Sequence, residues 1–315
     1  MKKVRHHRLF YSVSLSLAVL TLFLFWGNSN SGKVFTANPP PGKQLAVLSP
    51  SFSLPSMNTY WSQLTNTYSA KTNSNLVTPA KKPLPTNAVP TGASVEKKQL
   101  AVGTRDATDL YIIRSGKAGP VVMIVGGVHG NETAGYRAAR IVRNYQISRG
   151  TLLVLPEANS RAVNQGVRYV SGQKDLNRCF PTSSSGTADT RLSREIYYAL
   201  KKYNVDWLMD MHEGYNYSRL KSSSSVGQSL IYYPSSSTRE VASKIVNNMN
   251  SGISTSYRKF SLLRYPTRGS LSRAAGQYLG VKSFIFETCS RDNLSTRINY
   301  QLRAADILLG SLGMK

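Results

Sequence analysis

Short apolar runs recur through the second half of the chain, separated by segments in which apolar positions return every three or four residues. The runs at 110–114, 121–126, 151–156, 207–211, 230–233 and 283–287 predict strands. Several are apolar without interruption, the pattern of strands buried on both faces. Helical spacing predicts helices over 132–145, 190–203, 238–250, 271–278 and 295–312. Alternation of this kind predicts an α/β fold, a mostly parallel mixed sheet sandwiched by helices. No internal repeat is visible.

The first 95 residues follow other rules. Lys2, Lys3, Arg5 and Arg8 precede residues 9–26, an uncharged and mostly apolar stretch. That is the layout of a signal peptide, or of a short membrane anchor, over residues 1–26. The cleavage site is weakly marked, Ser29-Asn30-Ser31 being the best small-residue candidate. Either way, the basic flank is expected to stay in the cytoplasm and the remainder to be extracytoplasmic, secreted or membrane-anchored. Residues 27–95 hold Pro39-Pro40-Pro41 and further prolines among Ser, Thr, Asn and Lys, with no Asp or Glu. Such a basic segment buries too little apolar surface to offset the entropy of ordering it, which predicts a disordered linker. The folded catalytic domain is expected over 96–315.

Charge narrows the partners. The 315 residues carry 40 Lys and Arg against 15 Asp and Glu, a net charge of +25. All the acids lie beyond residue 95. An acidic, halophile-type surface is excluded, and with only Cys179 and Cys289 so is a disulfide scaffold. A basic domain outside the membrane first meets anionic wall polymers, lipid head groups or acidic peptides. Nucleic acid is the usual alternative, but no nucleic-acid motif is present and the export pattern argues against it.

Four elements carry chemistry. The run Val121-Val122-Met123-Ile124-Val125 leads through Gly126-Gly127-Val128 to His129-Gly130-Asn131-Glu132. It places a His and a Glu, both zinc-ligand types, at a strand exit, where α/β sheets bind ligands. Alone, this spacing equally describes a surface His beside a helix-capping Glu. Trp207-Leu208-Met209-Asp210-Met211-His212-Glu213 is a second apolar strand ending in His, suited to a third metal ligand. Glu213 is expected to point away, and Asp210 to support the ligand. In Lys174-Asp175-Leu176-Asn177-Arg178, Asp175 can fix the tautomer of a ligating His, and Asn177 with Arg178 can clamp a carboxylate. The alternative is a loop turn with a solvated Arg. Finally, Ser283-Phe284-Ile285-Phe286-Glu287 ends an apolar strand in a single carboxylate, which packing explains poorly and a general base explains well.

In this order the four elements resemble the zinc carboxypeptidase superfamily. Arg168-Tyr169-Val170 and Asp175-Leu176-Asn177-Arg178 look most like its succinylglutamate desuccinylase/aspartoacylase branch. The resemblance implies that His129, Glu132 and His212 bind Zn2+, although other divalent ions suit such a set. Glu287 would take a proton from the attacking water and hand it to the leaving amine. Arg168 would stabilise the oxyanion, with Arg161 competing for that role. Asn177 and Arg178 would grip the substrate carboxylate and Asp175 would orient His129. Tyr265 lies near the position of a mobile substrate-capping Tyr, and Leu271 where side-chain preference is set. Arg268 and Arg273 flank Leu271, which suggests an acidic substrate side chain. The same resemblance brings Cys179 and Cys289 to the rim of the site, either paired or as two buried thiols.

Only residues 288–315 follow Glu287, whereas aspartoacylase-like deacylases carry a β-rich C-terminal domain over the site. An open cleft is therefore expected. Together with export, it points to an exported zinc metallocarboxypeptidase cutting an amide next to a free carboxylate, in peptides such as cell-wall stem peptides. Two alternatives stand beside it: an N-acyl-amino-acid deacylase, and a non-catalytic basic protein binding peptidoglycan or an anionic wall polymer. The last requires ligand or base positions to be lost, and all four are present.

Overall fold

The strands β1 (Ser94–Leu100), β2 (Thr108–Arg114), β3 (Val121–Gly126), β4 (Thr151–Leu155), β5 (Trp207–Gly214), β6 (Ser229–Tyr232), β7 (Ser261–Leu263) and β8 (Lys282–Cys289) form one sheet. Their order is β1-β2-β4-β3-β5-β8-β6-β7. The computed structural model describes residues 92–222 and 224–315. The expected signal peptide or anchor at 1–26, and the linker through residue 91, lie outside the described residues. Among the described residues, no helix is long and apolar enough to cross a membrane.

The core of the sheet is parallel: β4-β3-β5-β8 run the same way. Antiparallel pairing is confined to the flanks, at β1–β2, β2–β4 and β6–β8. The mixed, mostly parallel arrangement is thus as expected, with two strands added that the apolar pattern does not predict. β1 alternates Glu96, Lys98 with exposed Val95 and is held by cross-strand pairs, Lys97–Asp109 at 3.2 Å and Arg114–Glu96 at 3.0 Å. β7 is only three residues long. β1 also starts at Ser94, just inside the expected linker.

Six helices cover the sheet: α1 (Thr133–Val142), α2 (Ser160–Gln165), α3 (Arg191–Lys202), α4 (Ser236–Ser251), α5 (Leu271–Leu279) and α6 (Leu294–Ser311). The short α2 was not predicted; Asn159 starts it by accepting the Ala162 N–H. Alternation along each central strand divides the core in two. Val122, Ile124, Met209, Met211, Phe284 and Phe286 pack with α1, α4 and α6. Met123, Val125 and Leu208 face the other way, toward α3 and α5.

The connections create a crevice. From β3 the chain crosses to β4 on one side, and from β4 it returns to β5 on the other. Such a reversal parts the connections above the C-terminal ends of the strands, where open α/β sheets bind ligands.

Candidate active site

The exit of β3 is built around a close approach. A Cβ on Gly130 would lie 2.0 Å from the carbonyl oxygen of Ala162 in α2, so only glycine lets the His129–Glu132 turn reach its place. Gly135 does the same for α1, where a Cβ would lie 2.6 Å from the Met211 carbonyl. The turn therefore rests directly on β5, and His129 and Glu132 are buried beside buried His212.

The three side chains form one cluster. Glu132 Oε1 lies 2.7 Å from His129 Nδ1, and Oε2 lies 2.8 Å from His212 Nδ1. On the far side of each ring stands another carboxylate. Asp175 Oδ1 is 2.9 Å from His129 Nε2. Asp210 Oδ2 approaches His212 Nε2 to 3.1 Å without hydrogen-bond alignment, leaving that nitrogen and both Asp210 oxygens without a hydrogen-bond partner. Burial would push the Glu132 carboxyl up, but the two imidazoles outweigh it and hold it well below the usual range. Burial would likewise lower His212, yet Asp210 and Glu132 hold it well above an ordinary imidazole.

Glu287 stands opposite His212 in the β5–β8 register, also buried. Burial, reinforced by Glu132 and Asp210 and opposed by His212 and Arg168, pushes its carboxyl up to about 8. Arg168 reaches in from the loop after α2. Its Nε and Nη2 donate to Asp175 Oδ2 at 3.2 and 2.9 Å, and Nη1 lies 3.4 Å from Glu132 Oε1. Arg161 points elsewhere, to Asp106 at 3.2 Å, so Arg168 is the arginine at the cluster.

These residues open onto a cavity of about 390 Å³, whose wall includes His129, Glu132, Arg168, Asn177, Arg178, His212 and Glu287. Asn177 is fixed by its Oδ1, which accepts the Leu271 N–H at 3.2 Å; exposed Arg178 donates to the Asn177 carbonyl at 2.8 Å. Among the described residues, α6 contributes nothing to this wall.

Some expected residues lie elsewhere. Tyr265 is 54% exposed and packs against Tyr233 and Arg273 outside the cavity wall. Leu271 is fully buried in the α3–α5 core, because it is the first residue of α5 and turns inward. Arg268 donates to the Thr182 carbonyl and Arg273 to Gln277, so neither flanks a substrate pocket. Cys179 and Cys289 are both free and buried.

Two supporting residues had little sequence signal. α1 has no acid in its first turn and no side-chain cap of its own. Instead Glu213 of β5 accepts the Ala134 N–H at 2.8 Å, while its other oxygen takes Thr288 at 3.1 Å and Arg297 at 2.6 Å. Its expected orientation away from the ligands hid this role. Gln301 of α6 donates to the His212 carbonyl at 2.9 Å, fixing the strand that carries the ligand.

The cluster fits a zinc ion. Two imidazole nitrogens and a carboxylate offer ligand atoms within 4.8 Å of one another, all buried. Two His and one carboxylate are the donor set of catalytic zinc sites, which keep a fourth position open. Carboxylates behind both rings are what orients metal-ligating histidines. Packing alone gives no reason for so many buried charges.

Comparisons with known proteins agree. The succinylglutamate desuccinylase/aspartoacylase catalytic domain matches residues 118–226. A probable aspartoacylase of Nostoc sp. is 38% identical over 107 residues, covering 29% of this chain and 34% of that protein. An N-acyl-aromatic-L-amino acid amidohydrolase (carboxylate-forming) of Xenopus laevis is 33% identical over 107 residues, covering 29% and 33%. The chain thus spans about a third of the length of the curated relatives it matches. Among solved structures, the mDAP-bound form of Helicobacter pylori Csd4, a D,L-carboxypeptidase, has a TM-score of 0.54 at 19% identity. It covers 62% of this chain and 52% of that one, a likeness of fold. The matched segment holds His129, Glu132, Arg168, Asp175, Asn177, Arg178 and His212, so over residues 118–226 the chain is similar to the succinylglutamate desuccinylase/aspartoacylase catalytic domain.

Proposed function

We propose that this chain is an extracytoplasmic, zinc-dependent metallocarboxypeptidase that hydrolyses an amide next to a free carboxylate, in peptides of the cell-wall stem-peptide kind. The observation that carries the reading is one cavity joining the buried His129–Glu132–His212 cluster, the carboxyl of Glu287 and the donors of Arg168, Asn177 and Arg178. A zinc ion held by the three ligands would polarise the scissile carbonyl and acidify water.

The chain's own residues do the rest. Glu287, whose proton affinity burial raises, takes a proton from the water that attacks the carbonyl carbon. It returns that proton to the amine as the C–N bond breaks, leaving a carboxylate and a free amine. Arg168 lies close enough to the cluster to donate to the developing oxyanion, a contribution of about a hundred- to a thousandfold in such sites. Asn177 and Arg178 hold the free carboxylate, a planar pairing suited to guanidinium.

The fold likeness to a D,L-carboxypeptidase supports the peptide reading. The basic leader at Lys2–Arg8, with the apolar stretch after it, supports export and a membrane partner. The excess of Lys and Arg supports contact with anionic wall polymer. A second reading, an N-acyl-amino-acid deacylase, is favoured by the names of the two curated relatives and would use the same residues.

Metal analysis and product masses on the full chain, beside Glu287→Gln, test the proposal. About one zinc per chain, and loss of a single C-terminal residue that stops in the variant, are expected. Release of acyl groups from amino acids alone moves the assignment to the deacylase. Neither metal nor a difference between the two proteins overturns both.

A further inference from the structure

Resting on the proposed amide hydrolysis, we infer that the residue this site releases carries one free carboxylate and a short, uncharged side chain, selected by Ile231 and Ile285.

The register locates these residues. Glu287 pairs with His212 on one side, and two residues back Ile285 pairs with Ile231 of β6 on the other. Side chains two apart on a strand share a face, so Ile285 lies beside the base, on the face that bears His212. Both isoleucines line the cavity, and Val226 from the loop before β6 adds a third apolar wall residue. An amide held between the metal cluster and Glu287 lays its leaving residue over this floor.

Charge then limits what fits. Among the described residues, and apart from the imidazoles of the metal cluster, Arg168 and Arg178 are the cations of the cavity wall. Arg168 is committed to Asp175, at 2.9 Å, and leans on Glu132. Arg178 pairs with no carboxylate among the described residues. One cation therefore remains for one anion, the substrate's free carboxylate. A second carboxylate, on an aspartate or glutamate side chain, would rest on isoleucine without a counter-charge, and burying an unpaired charge is costly. An ammonium fares no better. Glu132 is taken by the imidazoles and Glu213 by Arg297 at 2.6 Å, and Glu287 is needed for the reaction. The two positions where sequence reasoning placed basic side chains for an acidic substrate, Arg268 and Arg273, lie outside the cavity wall.

The test uses the zinc-loaded full chain with Ala-Ala-X peptides and N-acetyl-X amino acids, where X is Ala, Val, Asp or Lys. Product masses give kcat/KM, and calorimetry gives binding constants for the same compounds. Alanine and valine are expected to exceed aspartate and lysine at least tenfold in both measurements. Ile231→Arg, at a half-buried position, is expected to raise aspartate at least tenfold and to lower alanine. Should Ile231→Arg fail to fold by its thermal melt, Val226→Arg places the same charge at a more exposed wall position. Aspartate accepted as well as alanine by the wild type overturns the selectivity, as does either folded arginine variant that leaves the preference unchanged. Cleavage that ignores Glu287→Gln overturns the hydrolase reading instead. If no compound is cut, selective binding of the neutral compounds still upholds the pocket, and unselective binding removes it.

Discussion

Along β5, Met209 and Met211 turn to one face of the sheet, and Leu208, Asp210 and His212 to the other. β8 divides the same way, Phe284 and Phe286 against Ile285 and Glu287. Both faces are buried, yet they use burial differently. Under α1, α4 and α6, Phe286 stacks on Phe260 at 5.1 Å within an apolar core, and the buried Glu213 near its edge is paired with Thr288 and Arg297. Under α5 the face starts as a core at Leu208 and Leu271 and ends in carboxylates and imidazoles whose bonding is incomplete. The packed face supplies the rigidity; the other displaces proton affinities, Glu287 pushed up by burial and Glu132 held down by the two imidazoles.

The contrast can be broken from either side. Glu287→Gln should abolish turnover, by a thousandfold or more in kcat, while the melting temperature holds or rises, because a buried carboxyl is replaced by a neutral isostere. A variant that melts early yet keeps turnover would contradict the division. Phe286→Ala, on the packed face, should cost about 3–5 kcal/mol of stability in denaturant unfolding, with metal content unchanged in whatever remains folded. Asp210→Asn should weaken zinc affinity by about 10- to 100-fold, read by competition with a chelator, at little cost to the fold. Unaltered affinity would mean that Asp210 does not orient His212. The smallest effect concerns Cys179, whose thiol burial pushes up to about 11. It should resist alkylation at pH 8 in the native protein and react on unfolding, as mass spectrometry would show.

Much of this is legible in the sequence. β3 and β8 hold continuous apolar runs and β5 one broken only by Asp210, and a polar residue at the end of such a run has no packing reason to be there. That logic found His129, His212 and Glu287. It failed where the signal is not in the strand. β1 keeps its place through salt bridges and backbone pairing, so its alternation of Lys, Glu and exposed Val95 reads as linker. Arg168 and Arg161 are alike in sequence, and only the partners Asp175 and Asp106 tell them apart. Tyr265 and Leu271 lie around a loop-to-helix junction, where a shift of one residue decides between solvent, core and cavity. Glu213 and Gln301 act through contacts with chain segments about 80 residues away, which no local pattern records.

That last separation has a consequence for assembly of the protein. His129 and Glu132 are made early, but Glu132 meets His212 across 80 positions, and Gln301 secures His212 across 89 more. A growing chain that has just completed the turn after β3 holds two of the three ligands and no site. Contacts so distant in sequence close late and slowly. Metal uptake during refolding would thus serve as a clock for the final pairing of β5 with β3 and β8, and a chain stalled before α6 would be recognised by its failure to hold the ion.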